Sequence, residues 1–134
     1  MGYRCYMTDD DILHAVPPNP PIAQLLWTAI VDVAERQDLG MSPLGHRTMV
    51  PIEGGKFYAG PAGDGLSGTV LPGGADRQLL RTDGIKELDA IYEMQADSGE
   101  VLMIRNKVIV DETRHPDRYA MSVLSVSAPE GELT

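Results

Sequence analysis

Between the turn dipeptides Asp83-Gly84 and Ser98-Gly99, Leu88, Ala90, Tyr92 and Met94 alternate with Glu87, Asp89, Ile91, Glu93 and Gln95. A period of two sends these sets to opposite faces, so the stretch reads as a strand with one apolar face. The next run, Val101 to Val110, is apolar at nearly every position except Arg105, Asn106 and Lys107. That composition suits a strand covered on both sides. Further upstream the pattern is ambiguous: Ile22, Leu25, Leu26, Ala29, Ile30 and Val33 fit a helical stripe, while Leu25, Trp27, Ala29, Val31 and Val33 fit alternation. Trp27 and the β-branched Thr28, Ile30, Val31 and Val33, with no strong cap before them, favour a strand over 24–34.

From Gly40 onward the pairs Gly54-Gly55, Asp64-Gly65, Gly73-Gly74, Asp83-Gly84 and Ser98-Gly99 punctuate the chain at hairpin spacing. The intervals are too short for βα units. They predict strands near 46–53, 56–60, 65–71, 76–81, 86–96, 100–111 and 118–127. The expected class is all-β: an antiparallel sheet closed, or nearly closed, into a lipocalin-like barrel. Residues 1–21 read as an N-terminal extension, in which Thr8-Asp9-Asp10-Asp11 caps one helical turn through Ile12 to Val16 and Pro17, Pro18, Pro20 and Pro21 end it. Residues 22–134 then form a single domain, within the size that buries its own core.

Charge narrows the partners. A formal net charge of -9, with basic residues scattered along the chain, opposes approach to a phosphate backbone, so nucleic acid is not expected. No apolar run reaches the roughly 20 residues of a membrane span, since Leu25 to Val33 is broken by Thr28 and Asp32. Cys5 has no partner for an internal disulfide and no secretory signal pattern precedes it, which makes a reducing cytoplasm the expected location.

The segments Leu39-Gly40, Arg47, Pro51-Ile52, Gly54-Gly55, Phe57, Gly60, Gly68 and Val70-Leu71-Pro72-Gly73-Gly74-Ala75-Asp76 stand in a familiar order. They continue through Gln78, Arg81, Asp83-Gly84, Leu88-Asp89-Ala90, Tyr92, Asp97, Gly99, Arg105-Asn106, Tyr119-Ala120 and Ala128-Pro129. From about Ala23 to its end the chain resembles the DUF3237 family, also called UPF0311, of uncharacterised bacterial and fungal proteins. The resemblance implies an antiparallel β-barrel and no particular activity. Many relatives carry Trp where this chain has Arg77, and they continue past the Ala-Pro segment with at least one more strand, whereas this sequence stops at Thr134. A barrel is therefore expected to lack its C-terminal strand, with the bare edge covered by the N-terminal arm, by a second subunit or by nothing.

Chemistry, if there is any, is expected from Asp76, Arg77, Gln78 and Arg81 after the Gly73-Gly74 turn, with Asp89 and Tyr92 on one strand and Arg105 and Asn106 on the next. Carboxylates beside an arginine inside a barrel suit proton transfer next to a carbonyl: a base of raised pKa and a cation for the oxyanion. Each residue also has a structural reading. Asp76 can bond turn amides, and Glu87, Asp89 and Glu93 share a face as a solvated edge would. Arg105 needs a carboxylate partner, for which Asp89 across the hairpin is the first candidate, as a static salt bridge or a substrate clamp. Asn106 is a satisfied core amide or a ligand contact, Tyr92 a core residue or a general acid, and Trp27 core or pocket lining. Met49, Met94, Met103 and Met121 line a cavity or fill gaps.

Other chemistries find no support. His14, His46 and His115 occur singly, without metal-site spacing, and read as solvent-exposed. The stretch Gly60 to Gly65 lacks the lysine of a phosphate loop and reads as a flexible hairpin tip, Cys5 lacks the setting of a catalytic thiol, and no serine sits in a nucleophile elbow. No cofactor is expected. Three functions follow: a barrel binding a small hydrophobic carbonyl compound as a cofactor-independent isomerase, cyclase or lyase; a non-catalytic carrier; or a module that forms homodimers through sheet edges. In the first, Asp76 or Asp89 is the base, Arg105 or Arg77 the oxyanion partner and Tyr92 the acid, with Gln78, Asn106 and Trp27 contacting the ligand.

Overall fold

The computed structural model describes residues 6–131 and Leu133, so Cys5 lies outside the described residues. One short helix, α1 (Asp9–Ala15), precedes eight strands: β1 (Trp27–Val33), β2 (Gln37–Ser42), β3 (Gly45–Ala59), β4 (Gly68–Val70), β5 (Ala75–Arg81), β6 (Ile85–Ala96), β7 (Val101–Asp111) and β8 (Tyr119–Ser127). Every pairing is antiparallel. The sheet runs β1-β3-β4-β6-β7-β8, with β2 on β3 and β5 between β3 and β6. The segment that admitted two periods is a strand, with Trp27, Ala29 and Val31 partly buried and Thr28, Ile30 and Asp32 exposed.

Two expectations fail around β3. Gly54-Gly55 is no hairpin turn: residues 45–59 form one continuous strand. Gly55 holds φ 140°, and a Cβ there would stand 2.1 Å from the Ile30 carbonyl oxygen, so only glycine lets β3 pass this close to β1. The β1 register slips opposite Gly54, between Asp32 and Val33, which bends the pair. The first part of β3 therefore pairs with β2 and β5, and the later part with β1 and β4. β2 itself was not expected, because five of its six residues are exposed and no alternation marks it. The Ser42–Gly45 turn holds it to β3, with Ser42 Oγ donating to the Gly45 carbonyl at 2.9 Å. Only residues 68–70 of the predicted 65–71 strand are β, because the chain before them is a turn.

The core lies on the inner face toward one end of the sheet, where Ile52, Phe57, Val70, Tyr92, Met94, Ala96, Leu102 and Ile104 pack together. Gly74 explains part of the Leu-Pro-Gly-Gly-Ala-Asp run: a Cβ on it would stand 2.5 Å from Tyr92 Cβ, so the entry to β5 lies directly on that ring-bearing residue. Among the described residues no ladder joins β8 back to β1 or β2, so the sheet is open there. All nine residues of β8 are exposed. The N-terminal arm leaves it bare: α1 has the expected cap, with Asp11 N–H donating to Thr8 Oγ1, but buries no residue. No described helix is long and apolar enough to cross a membrane.

Candidate functional site

Register turns the strands into rows across the inner face. One row reads Val50, Asp76, Ala90, Asn106, Leu124, and the next reads Thr48, Gln78, Leu88, Val108, Ser122. A third reads His46, Leu80, Lys86, Val110, Ala120. On the other side of the Asp76 row, Tyr92 pairs with Ile104 in the core. These side chains share a face because they stand an even number of residues from Tyr92 and Ile104 on strands without a slip.

Asp76 and Asn106 flank Ala90 in that first row. Asp76 Oδ2 accepts a hydrogen bond from Gln78 Nε2 at 2.8 Å. Asp76 Oδ1 and Asn106 Oδ1 are buried with no hydrogen-bond partner among the described residues. A buried acceptor left unpaired costs on the order of 1–3 kcal/mol, so each marks a place where a donor would be taken up. Burial pushes the Tyr92 phenol above the ordinary tyrosine value, which keeps it a protonated donor.

The remaining predicted residues stand elsewhere. Arg77, Asp89 and Arg105 are on the outer face, opposite Asp76, Ala90 and Asn106, their sequence neighbours. Arg105 was expected on a strand covered on both sides, but only one face of β7 is buried. It donates to Asp89 through two bonds, Nε to Oδ1 at 3.0 Å and a terminal guanidinium nitrogen to Oδ2 at 2.8 Å. Both side chains are over a third exposed. The bond from Arg105 holds the Asp89 carboxyl below the usual carboxylate range, and Asp89 raises Arg105 in turn. Arg81 pairs with Asp83 in the β5–β6 turn. Trp27 packs against the core beside an open cleft of about 710 Å³ that also takes in Leu66, Ser67 and Asp97, toward the Ala96 end of β6. That cleft does not include the Asp76 row. The loop from Gly60 is tied down instead of free, its Gly60 and Ala62 amides donating to the Leu26 and Leu25 carbonyls.

One pair escaped the sequence. His46 was expected to be solvent-exposed, yet it is half-buried and its Nε2 lies 2.7 Å from Asp38 Oδ1. The His46 bond, together with the Gly40 amide, draws the Asp38 carboxyl below its usual range. Both side chains line a cleft of about 270 Å³ with Arg36, Thr48, Gln78 and Lys86. Asp38 belongs to β2, where a register slip between Asp38 and Gly40 sets it opposite Thr48, on the same face as His46; a regular strand over 37–42 would have set it opposite Met49 instead. Among the described residues no three His, Cys, Asp or Glu side chains are placed to hold a metal.

Known proteins resemble this chain in sequence and in fold. A family model described as a protein of unknown function, DUF3237, matches residues 21–127. A UPF0311 protein of Clostridium acetobutylicum is 39% identical over 82 residues, 61% of this chain and 48% of that protein. One from Rhodopseudomonas palustris is 39% identical over 77 residues, 58% of this chain and 46% of that protein. The chain thus spans about half the length of the curated relatives it matches. A crystal structure of a Clostridium acetobutylicum protein of unknown function superposes with a TM-score of 0.69 at 29% identity, over 79% of this chain and 76% of that one. A β-barrel-like protein from Acinetobacter baumannii gives 0.61 at 27% identity, over 83% and 80%.

Proposed function

The chain belongs to the DUF3237 family of proteins of unknown function, and on that footing we propose that it binds a small molecule on the inner face of its sheet, over Asp76, Ala90 and Asn106. The observation that carries this reading is the pair of buried, unpartnered acceptors on either side of Ala90. They call for a ligand bearing a hydroxyl or amine, and the apolar Leu88, Val108 and Leu124 around them supply a surface for its hydrocarbon body. Proton transfer on such a ligand, in the manner of an isomerase, cyclase or lyase, would use Asp76 as base and Tyr92 as donor. Asp89 and Arg105 occupy each other on the opposite face and take no part in it. A carrier would use the same contacts without moving a proton.

Native mass spectrometry of the protein purified from its host is the direct test. A retained small molecule that disappears in Asp76→Leu and Asn106→Leu supports the reading. A molecule that stays bound in both variants removes the inner face from consideration.

A second reading rests on β8, where Tyr119, Met121, Val123, Leu124 and Val126 are exposed and no residue is charged. In a chain of net charge -9 this uncharged edge is where two copies could approach without repulsion and pair antiparallel about a two-fold axis. Sedimentation equilibrium should then give a dimer, and Val123→Lys a monomer. A monomeric wild-type protein at all concentrations would end this second reading.

A further inference from the structure

The cleft at the His46 end of the inner face contains more positive than negative charge. Arg36 and Lys86 line it, and neither forms a salt bridge among the described residues. Its single carboxylate, Asp38, is hydrogen-bonded by His46 and the Gly40 amide and feels Arg36 at longer range. Glu112, which also feels Lys86, accepts a bond from Arg118 at 3.0 Å. In an acidic protein, two cations outside any salt bridge, beside the Thr48 hydroxyl and the Gln78 amide, form a local anion-attracting site.

This cleft stops one row short of Asp76 and adjoins it at Gln78, which lines the cleft and donates its Nε2 hydrogen to Asp76 Oδ2. Along β5 the His46–Leu80–Lys86 row and the Val50–Asp76–Ala90 row are four residues apart, Leu80 to Asp76, or about 14 Å of strand. Between them lie Leu88 and Val108, both partly buried and apolar. The two polar ends and apolar middle define a length and a polarity.

We propose that the cleft takes the carboxylate end of the inner-face ligand, at Arg36 and Lys86, while a hydroxyl or amine at its other end reaches Asp76 and Asn106. The ligand class is an elongated hydroxy or amino acid with an apolar middle. The inference rests on the inner-face reading above, and the test separates the two. Three probes of one chain length are titrated calorimetrically against the full chain: ω-hydroxydecanoate, decane-α,ω-diol and decanoate. The hydroxy acid should bind about tenfold more tightly than the diol, the worth of a charge-assisted contact that water partly screens. The double variant Arg36→Gln, Lys86→Gln should erase that advantage, bringing the hydroxy acid down to the level of the diol. Asn106→Leu should lower the hydroxy acid to the level of decanoate while keeping the preference for a carboxylate. Equal binding of hydroxy acid and diol by the unaltered protein would overturn the carboxylate cleft alone. Carboxylate preference that persists in the double variant would do the same. Affinity indifferent to Asn106→Leu would overturn the inner-face reading instead.

Discussion

Arg105 and Asn106 are consecutive residues of β7, and they face opposite worlds. On the outer face Arg105 meets Asp89 through a two-bond ion pair in water. On the inner face Asn106 and Asp76 each keep a buried oxygen without a donor. The polar pair that looks most like a designed contact is the one water can replace, so it contributes little. The two residues that touch no partner through those oxygens are the ones with something left to bind. A polar group's importance here follows from which side of the strand it is on, more than from how many bonds it already makes.

The comparison can be broken most severely where the inner face is packed. Ile104→Ala, in the core between Tyr92 and Val126, should cost about 2–5 kcal/mol in urea unfolding. Its outer neighbour Met103→Ala should change stability by no more than about 0.5 kcal/mol. Similar losses at both positions would mean that the outer face is covered in solution. Next in size, Asn106→Leu should stabilise the protein by about 1–2 kcal/mol in the absence of ligand, by removing an unmet acceptor without opening a cavity. A loss of stability would show that the amide already has a donor. Smaller still, Asp89→Ala should cost less than about 1 kcal/mol, the range of exposed ion pairs.

The smallest effect is one of pH. Arg105 depresses the folded Asp89 pKa below its unfolded value of about 3.9, so the pair's stabilisation is complete above that value. It is lost as pH falls through the folded pKa. In Arg105→Ala this acid-side loss should vanish, and the Asp89 carboxyl carbon followed by NMR should titrate closer to an ordinary aspartate. An unchanged Asp89 titration would assign its depression to something other than Arg105.

Much of the fold was legible because period two is a strong signal where one face is buried. Leu88, Ala90, Tyr92 and Met94 located β6, and β5, β7 and β8 fell within a residue of their expected bounds. β2 was not legible, since a strand with no buried face carries no alternation to find, and with it went the Asp38–His46 pair. Gly54-Gly55 misled because a glycine pair serves a kink as well as a turn, and only the approach of Ile30 shows which. The candidate site was half legible. Residues 76, 77 and 78 cannot all point inward, nor can Arg105 join Asn106 there. The apolar parity of β6 already placed Asp89 on the far side from Tyr92. What no pattern could supply was that Asp76 and Asn106 meet the same Ala90 from two sides, because that depends on register between strands distant in sequence.

β3 is bonded by strands from both directions along the chain, β1 and β2 before it and β4 and β5 after it. On the ribosome, the β2–β3 hairpin has both its halves as soon as β3 emerges, and β1 is already waiting. The core around Ile52 and Phe57, however, is incomplete until Met94 and Ile104 have been translated. A nascent chain in that interval would hold strands whose apolar side is only partly covered, the kind of surface a chaperone recognises.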